Sequence, residues 1–156
     1  AADALYATML TVGCVLAEGE AYDSDRAIAH AGPGAVIFMH AIVEAEAKSG
    51  ESINLPDWQR DLVDQYHRLY QSYEPDDARY LSLHRGHMMF VRDDERHLVT
   101  ADLIREKTFT GTRDDLVARL SNLKAAGYSQ IAVQYNPGQE DMLEHWAPIR
   151  KAVPAA

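Results

Sequence analysis

Two histidines three positions apart carry the most chemistry in this sequence, in the tetrapeptide His84-Arg85-Gly86-His87. If this stretch is helical, both imidazoles lie on one side and could bind a metal ion. The guanidinium of Arg85 between them suits a phosphate or a carboxylate. However, the sequence holds no Cys nearby, and no Asp or Glu between Asp77 and Asp93. We therefore predict no metal site, and we treat His84 and His87 as candidate catalytic residues.

A second candidate site is the pair Gly111 and Thr112, which ends a candidate strand and begins a helix. Free backbone N–H groups at a helix N-terminus bind anions, so the pair could hold a phosphate. The simpler interpretation is that Thr112 caps the helix, with Asp115 completing a capping box. We favour capping, and the same two interpretations apply to Gly32-Pro33-Gly34.

The elements that would position these residues are clearest between Gly111 and Gly138. Apolar residues recur there at helical spacing: Leu116, Val117, Leu120 and Leu123. Gly127 is expected to end this helix in the left-handed conformation. A short apolar strand, Ile131 to Tyr135, follows at once and predicts the helix and strand alternation of an α/β fold.

The rest of the chain extends this pattern into one domain, residues 1–156. We expect a buried strand at 7–16, with a short buried helix as the rival interpretation, and one more strand at 108–110 or 88–91. Pro33 should begin a new helix after a break at Gly32. The expected helices are 24–30, 33–47, 57–73, ended by Pro75, and 100 to 105 or 107.

Composition excludes several classes of function. The net charge is −9, with 15 basic against 24 acidic residues, which argues against nucleic-acid or anionic membrane partners. No run reaches the 18 or so apolar residues of a membrane span. Cys14 is the single cysteine and lies in an apolar run, so we expect an inert core thiol in a reducing cytoplasm.

Several other polar and aromatic residues have a structural interpretation first. We expect His40 to be a satisfied core histidine and Asp93-Asp94-Glu95 to be a solvated loop. The aromatic residues of the 57–73 helix should form a packing stripe: Trp58, Tyr66, Tyr70 and Tyr73. Tyr135 and Asn136, at the exit of the last strand, are candidates by position only.

Three stretches together resemble the C-terminal part of the luciferase-like flavin- or coenzyme F420-dependent oxidoreductases. The stretch from Cys14 to Ala47 has Val-Leu-x-x-Gly-Glu, Asp-Ser, and Gly-Pro followed by a helical His. The stretch from Leu83 to Val91 is similar to that family's His-x-Gly-His loop. The stretch from Phe109 to Gly138 is similar to its closing helix and strand, so the resemblance covers most of the chain.

The resemblance implies a fold and a function. The family's fold is a (β/α)8 TIM barrel, and this chain has strands for only about three of its units, so it would be an incomplete C-terminal portion. It implies a monooxygenase-like oxidoreductase that uses FMN or coenzyme F420 on a small-molecule substrate. His84 and His87 would be catalytic or structural, and Arg85, Gly111 and Thr112 would bind the cofactor.

The open sheet of such a portion needs a cover. The expected partner is the missing N-terminal barrel portion or a second copy of the chain, unless the inserted helices wrap over the open side. The alternative to an enzyme is a non-catalytic assembly or binding module derived from the barrel. A third hypothesis is a metal-dependent hydrolase built on His84 and His87.

Overall fold

Helix α1 (Asp25–Ser49) is the longest element of the computed structural model, which describes residues 6–153. It begins where the hydroxyl of Ser24 accepts a hydrogen bond from the backbone N–H of Ala27, and it ends at Gly50, whose φ is 72°. The predicted break at Gly32-Pro33-Gly34 is wrong, because the helix runs through it. Pro33 leaves the carbonyl of Ala29 without a helical donor. The Nε2 of Gln139 replaces that donor at 2.8 Å.

The glycines beside Pro33 serve packing rather than helix termination. A Cβ on Gly34 would lie 1.9 Å from Cγ2 of Val12, so only glycine lets α1 approach the first strand this closely. A Cβ on Gly32 would lie 2.8 Å from Cγ2 of Val91. These two contacts set the position of α1 against the sheet and against the chain that follows His87.

The remaining helices are α2 (Asp57–Gln71), α3 (Arg79–Leu83), α4 (Ala101–Lys107), α5 (Arg113–Ala125) and α6 (Asp141–Ala152). Helices α2, α4 and α5 lie close to their predicted places, whereas α3 and α6 were not predicted. The strands are β1 (Thr8–Val12), β2 (Val15–Leu16), β3 (Gly111–Thr112) and β4 (Gln130–Gln134). The predicted strand at 7–16 is confirmed in two pieces. Neither 88–91 nor 108–110 is a strand, and β3 begins directly after the second of these ranges.

All strand pairing in the described residues is parallel. β1 pairs with β4, with Thr8 opposite Gln130, and β2 pairs with β3, with Val15 opposite Gly111. The chain is therefore a mixed α/β protein, as predicted. Residues 6–153 form two two-stranded sheets and no closed barrel. The 8–16 segment lies between β3 and β4. In a barrel, β3 and β4 would be neighbours, because they are consecutive strands along the chain.

The helix and strand predicted after Gly111 are confirmed in detail. The Thr112 hydroxyl accepts from the backbone N–H of Asp115, whose carboxylate accepts from the backbone N–H of Thr112, which is a full capping box. Gly127 follows the helix with φ of 96°. The predicted core stripe is only partly enclosed: Leu116 is fully buried, while Leu120 and Leu123 are half-buried.

The apolar residues form two clusters. The first, which we call the helical cluster, joins α1, α2 and α4 and includes Met39, Val63 and Leu103, all fully buried. The second, the sheet cluster, has Phe109, Leu116 and Ile149 as its buried members. The predicted aromatic stripe is confirmed in part: Tyr66 and Tyr73 are buried in the helical cluster and Tyr70 packs against it, whereas Trp58 is not a member of either cluster.

Helix α1 is long and apolar enough to cross a membrane by length and composition, which corrects the expectation that no segment would be. Within its most apolar 18-residue window, 67% is buried inside the protein. A core helix shows this same burial, so the structure gives no clear sign of a membrane span.

Candidate functional site

His84 and His87 lie on one tight turn directly after α3. The backbone N–H of His87 donates to the carbonyl of His84 at 3.0 Å, so both imidazoles project from the same turn. Gly86 and Met88 have φ of 78° and 63°. Glycine adopts this left-handed conformation readily, whereas Met88 adopts it at a cost in backbone strain. The chain therefore turns sharply around the two histidines.

This turn is attached to the carboxyl end of β4. The Nδ2 of Asn136 donates to the carbonyls of Met88 and Met89 at 3.1 and 2.8 Å, and Nε2 of Gln134 donates to the carbonyl of Met88 at 3.3 Å. Asn136, a candidate by position only, is thus an anchor of the histidine turn. Ligands of parallel α/β sheets bind beyond the carboxyl ends of the strands, which is where this turn lies.

A third histidine, His40 from α1, joins the pair. One ring nitrogen of each of the three histidines lies within 4.8 Å of one from each of the other two. Nδ1 of His84 and Nδ1 of His87 are 3.1 Å apart. The rings of His40 and His84 meet edge to face, with centroids 5.7 Å apart. We call His40, His84 and His87 the histidine cluster.

Two carboxylates hold the outer nitrogens of this cluster. Nε2 of His84 lies 3.0 Å from Oε1 of Glu44, and Nε2 of His40 lies 3.2 Å from Oε2 of Glu95. A carboxylate facing an imidazole nitrogen favours the tautomer with the proton on that nitrogen, so Nδ1 of each ring presents a lone pair.

His40 has an unused nitrogen. The side chain is 4% exposed, and its Nδ1 has no hydrogen-bond partner among residues 6–153. We predicted that His40 would be a core histidine with all its hydrogen bonds made. The prediction is correct for the burial of the side chain and for Nε2, and it is wrong for Nδ1. Burial, together with the imidazoles of His84 and His40, lowers the pKa of His87 and favours its neutral form.

Behind His40 lies a buried polar network centred on Glu95. Its carboxylate accepts from the Tyr66 hydroxyl and lies 2.8 Å from the guanidinium of Arg92, which also donates to the Tyr73 hydroxyl. Burial alone would raise the pKa of Glu95, but hydrogen bonds from His40 and Tyr66 hold it below its ordinary value. Because Glu95 is 1% exposed, the prediction of a solvated Asp93-Asp94-Glu95 loop is wrong for this residue.

The other predicted site residues lie apart from the cluster or face solvent. Arg85 is exposed on the histidine turn. Gly111 and Thr112 bond to Cys14 and Asp115 rather than to the histidines. The carboxylate of Asp115 accepts a hydrogen bond from the backbone N–H of Thr112, so the predicted cap is confirmed. Phosphate binding at this position stays a prediction. Sequence reasoning missed Glu44 as a partner of His84.

On the helix side of the β1–β4 sheet lies an open cleft of about 520 Å³. Apolar side chains of β4, α5 and α6 line most of it, including Leu120, Leu123, Val133 and Trp146. The opposite side of the same sheet is covered by α1 at Val12 and uncovered at Leu10, which is 71% exposed. Both sides of this sheet therefore present apolar surface.

Comparison of the chain with models of known protein families, with curated proteins and with solved structures finds no match.

Proposed function

We propose that this chain is the C-terminal part of a luciferase-like (β/α)8 barrel and contributes to an oxidoreductase that uses FMN or coenzyme F420. The observation that carries the proposal is the attachment of the His84–His87 turn to the carboxyl end of β4 by Asn136. Active sites of parallel barrels form at that end of the strands. The resemblance in sequence supplies the family, and the attachment of the turn agrees with it.

The state of the sheet supports an incomplete barrel. Each strand pairs in parallel, which is the pairing of a (β/α) barrel. Thr8, Leu10 and Gln130 alternate with residues that face α5 and α6, and Leu10 is 71% exposed. An inward barrel face without its opposite strands has this composition and exposure. The order of the strands differs from that of a barrel, because the 8–16 segment pairs with both β3 and β4.

The roles of the residues follow from their chemistry. The cofactor supplies the redox chemistry when bound. His84 and His87 contact the small-molecule substrate and can hold or donate a proton. Arg85 holds a phosphate of the cofactor. A second anion contact at Gly111 and Thr112 would require their backbone N–H groups to leave the carbonyl of Cys14 and the carboxylate of Asp115. Cys14 takes no part, because burial raises the pKa of its thiol to about 11, in keeping with an inert thiol in the cytoplasm.

Cofactor titration tests the proposal. FMN or coenzyme F420, added up to about 1 mM to the 156-residue chain, should bind weakly and saturably, because only part of the pocket is present. Arg85→Ala should abolish this binding. Arg68→Ala, an exposed arginine of α2, is the matched control and should leave it unchanged.

Two results would reject this role. One is the absence of binding of either cofactor at that concentration, and the other is equal binding by the Arg85→Ala and Arg68→Ala variants. The uncovered apolar cleft specifically favours the second candidate, a non-catalytic assembly module derived from the barrel. A colourless chain that binds neither cofactor and still forms oligomers would support that candidate.

A further inference from the structure

We propose that His40, His84 and His87 form a binding site for one Zn²⁺ ion, with a fourth position open to solvent. The inference goes beyond the oxidoreductase function and does not depend on it, because the ion is held by this chain's own residues without a flavin. The ring nitrogens of the three histidines lie within 4.8 Å of one another.

The separations of the nitrogens fit a zinc site that is slightly expanded. Zn–N bonds of about 2.0–2.1 Å put the nitrogens of a tetrahedral site about 3.4 Å apart. Nδ1 of His84 and Nδ1 of His87 already lie 3.1 Å apart. The nitrogens of the three rings all lie within 4.8 Å of one another, so the widest separation has to shrink by up to about 1.4 Å. Of the three rings, His87 is the most exposed, which leaves it the most room to move towards the ion.

Tautomers decide which nitrogens bind. The Nε2 atoms of His40 and His84 face Glu95 and Glu44, so the lone pairs of both rings lie on Nδ1. Without an ion, His87 can donate one proton to Nδ1 of His84, but Nδ1 of His40 is left with no hydrogen-bond partner among the described residues. A buried polar atom without a partner destabilises the folded chain. An ion bound to Nδ1 removes that cost.

The surrounding groups are those of a zinc site. Zinc-bound histidines usually give their other ring N–H to a carboxylate, which orients the ring and makes the ligand more basic. Glu44 and Glu95 stand in this relation to two of the three rings. Three imidazoles are the protein ligands of the open, catalytic type of zinc site, whereas structural sites have four. His87 is exposed, so water can reach the fourth position.

The site links two distant parts of the chain. His40 comes from the middle of α1, and His84 and His87 come from the turn attached to β4. A bound ion would therefore hold that turn against α1. On this inference His84 and His87 act as metal ligands when zinc is present, and a zinc-bound water faces the open side.

Zinc titration of the purified full chain tests the site, with a chromophoric chelator as competitor. Wild type should bind one Zn²⁺ per chain, and Co²⁺ in its place should give the visible absorption of a four- or five-coordinate ion. His87→Gln should weaken Zn²⁺ binding at least about tenfold, and Glu44→Gln, which removes the carboxylate charge that makes the His84 ligand more basic, about tenfold. His97→Gln is the matched control, because His97 is exposed and lies outside the cluster, and it should bind as wild type does.

Circular dichroism of each variant checks its fold, and His87 is exposed, so its replacement leaves the core intact. The site is rejected if wild type binds no Zn²⁺. It is equally rejected if His87→Gln and His97→Gln bind Zn²⁺ with the same affinity. Because no flavin is present in this titration, loss of the zinc site and loss of cofactor binding are separate results.

Discussion

The helical cluster and the sheet cluster differ in how completely they are enclosed. The first encloses Tyr66, Met39 and Leu103 at 0% exposure, and the polar network of Glu95 lies inside it. The second has three buried members, and its half-buried residues line an open cleft. Helices α1 and α2 pack on one another and leave Leu10 of the sheet 71% exposed.

This difference shows which part of the chain buries its own apolar surface without a partner. In the helical cluster, apolar packing and buried hydrogen bonds support each other. In the sheet region, apolar surface costs about 25 cal/mol for each Å² left in water, so a cover would stabilise it substantially. Helix α1 covers this sheet only near Val12, and Leu10 stays exposed.

The largest expected effect is in the helical cluster. Arg92→Leu should lower the free energy of unfolding by about 3–5 kcal/mol, because it leaves the carboxylate of Glu95 buried without its cationic partner. Chemical denaturation measures the change. Arg105→Leu is the control, since the Arg105–Asp102 pair is more than half exposed and should be worth about 1 kcal/mol or less. Equal losses in the two variants would show that the network is not enclosed.

Next in size is a contrast within α5. Leu116→Ala should cost about 2–5 kcal/mol, because Leu116 is fully buried. Leu120→Ala should cost about 1 kcal/mol, because Leu120 already borders the open cleft. A loss of 2 kcal/mol or more for Leu120→Ala in a denaturant titration would mean that something covers the cleft in solution.

A smaller effect concerns Glu46 on α1, whose carboxylate holds Arg60 at 2.7 Å and His67 at 2.6 Å. The hydrogen bond from Arg60 lowers the pKa of Glu46 from 4.5 to about 2. A lowered pKa stabilises the folded state above the unfolded value and loses that contribution as the pH falls. Glu46→Gln should therefore cost about 1–2 kcal/mol at neutral pH.

The pH dependence sharpens this expectation. The difference in unfolding free energy between wild type and Glu46→Gln should be complete above about pH 4.5 and should shrink as the pH falls towards 2. Thermal unfolding at several pH values measures it. A difference that stays constant down to pH 2 would contradict the role of the Glu46 charge.

The smallest effect is expected at the start of α5. Thr112→Ala removes the capping hydroxyl and should cost about 1 kcal/mol. If Thr112 also binds a cofactor phosphate, cofactor affinity should fall as well. Lowered stability with unchanged affinity would leave Thr112 with the capping role alone.

Local signals made α5 and β4 predictable from sequence. Thr112, Asp115 and Gly127 act within a few positions of each other, and the structure forms the predicted cap and the turn at Gly127. Pro33 gave an equally local signal for a helix break, and that prediction was wrong. Contacts from distant residues, Gln139 and Val12, stabilise α1 as one continuous helix. Tertiary contacts overruled a local preference there.

The candidate site was predictable in part for the same reason. His84 and His87 lie three positions apart, so their pairing shows in the sequence. His40 and Glu44 lie about forty positions earlier, and Glu95 reaches His40 across 55 positions. Helix packing brings these groups together, and no spacing rule indicates it. His40 and Glu95 lie on separate elements, so only the folded structure shows that they are partners.

Light scattering on the purified chain tests the incomplete sheet most directly. Wild type should show a mass above the 17.4 kDa of one chain, because the exposed β1–β4 face associates with a second copy. Leu10→Lys, which places a charge on that face, should return the mass to 17.4 kDa. A monodisperse wild-type monomer that binds FMN tightly and turns over substrate would contradict the account.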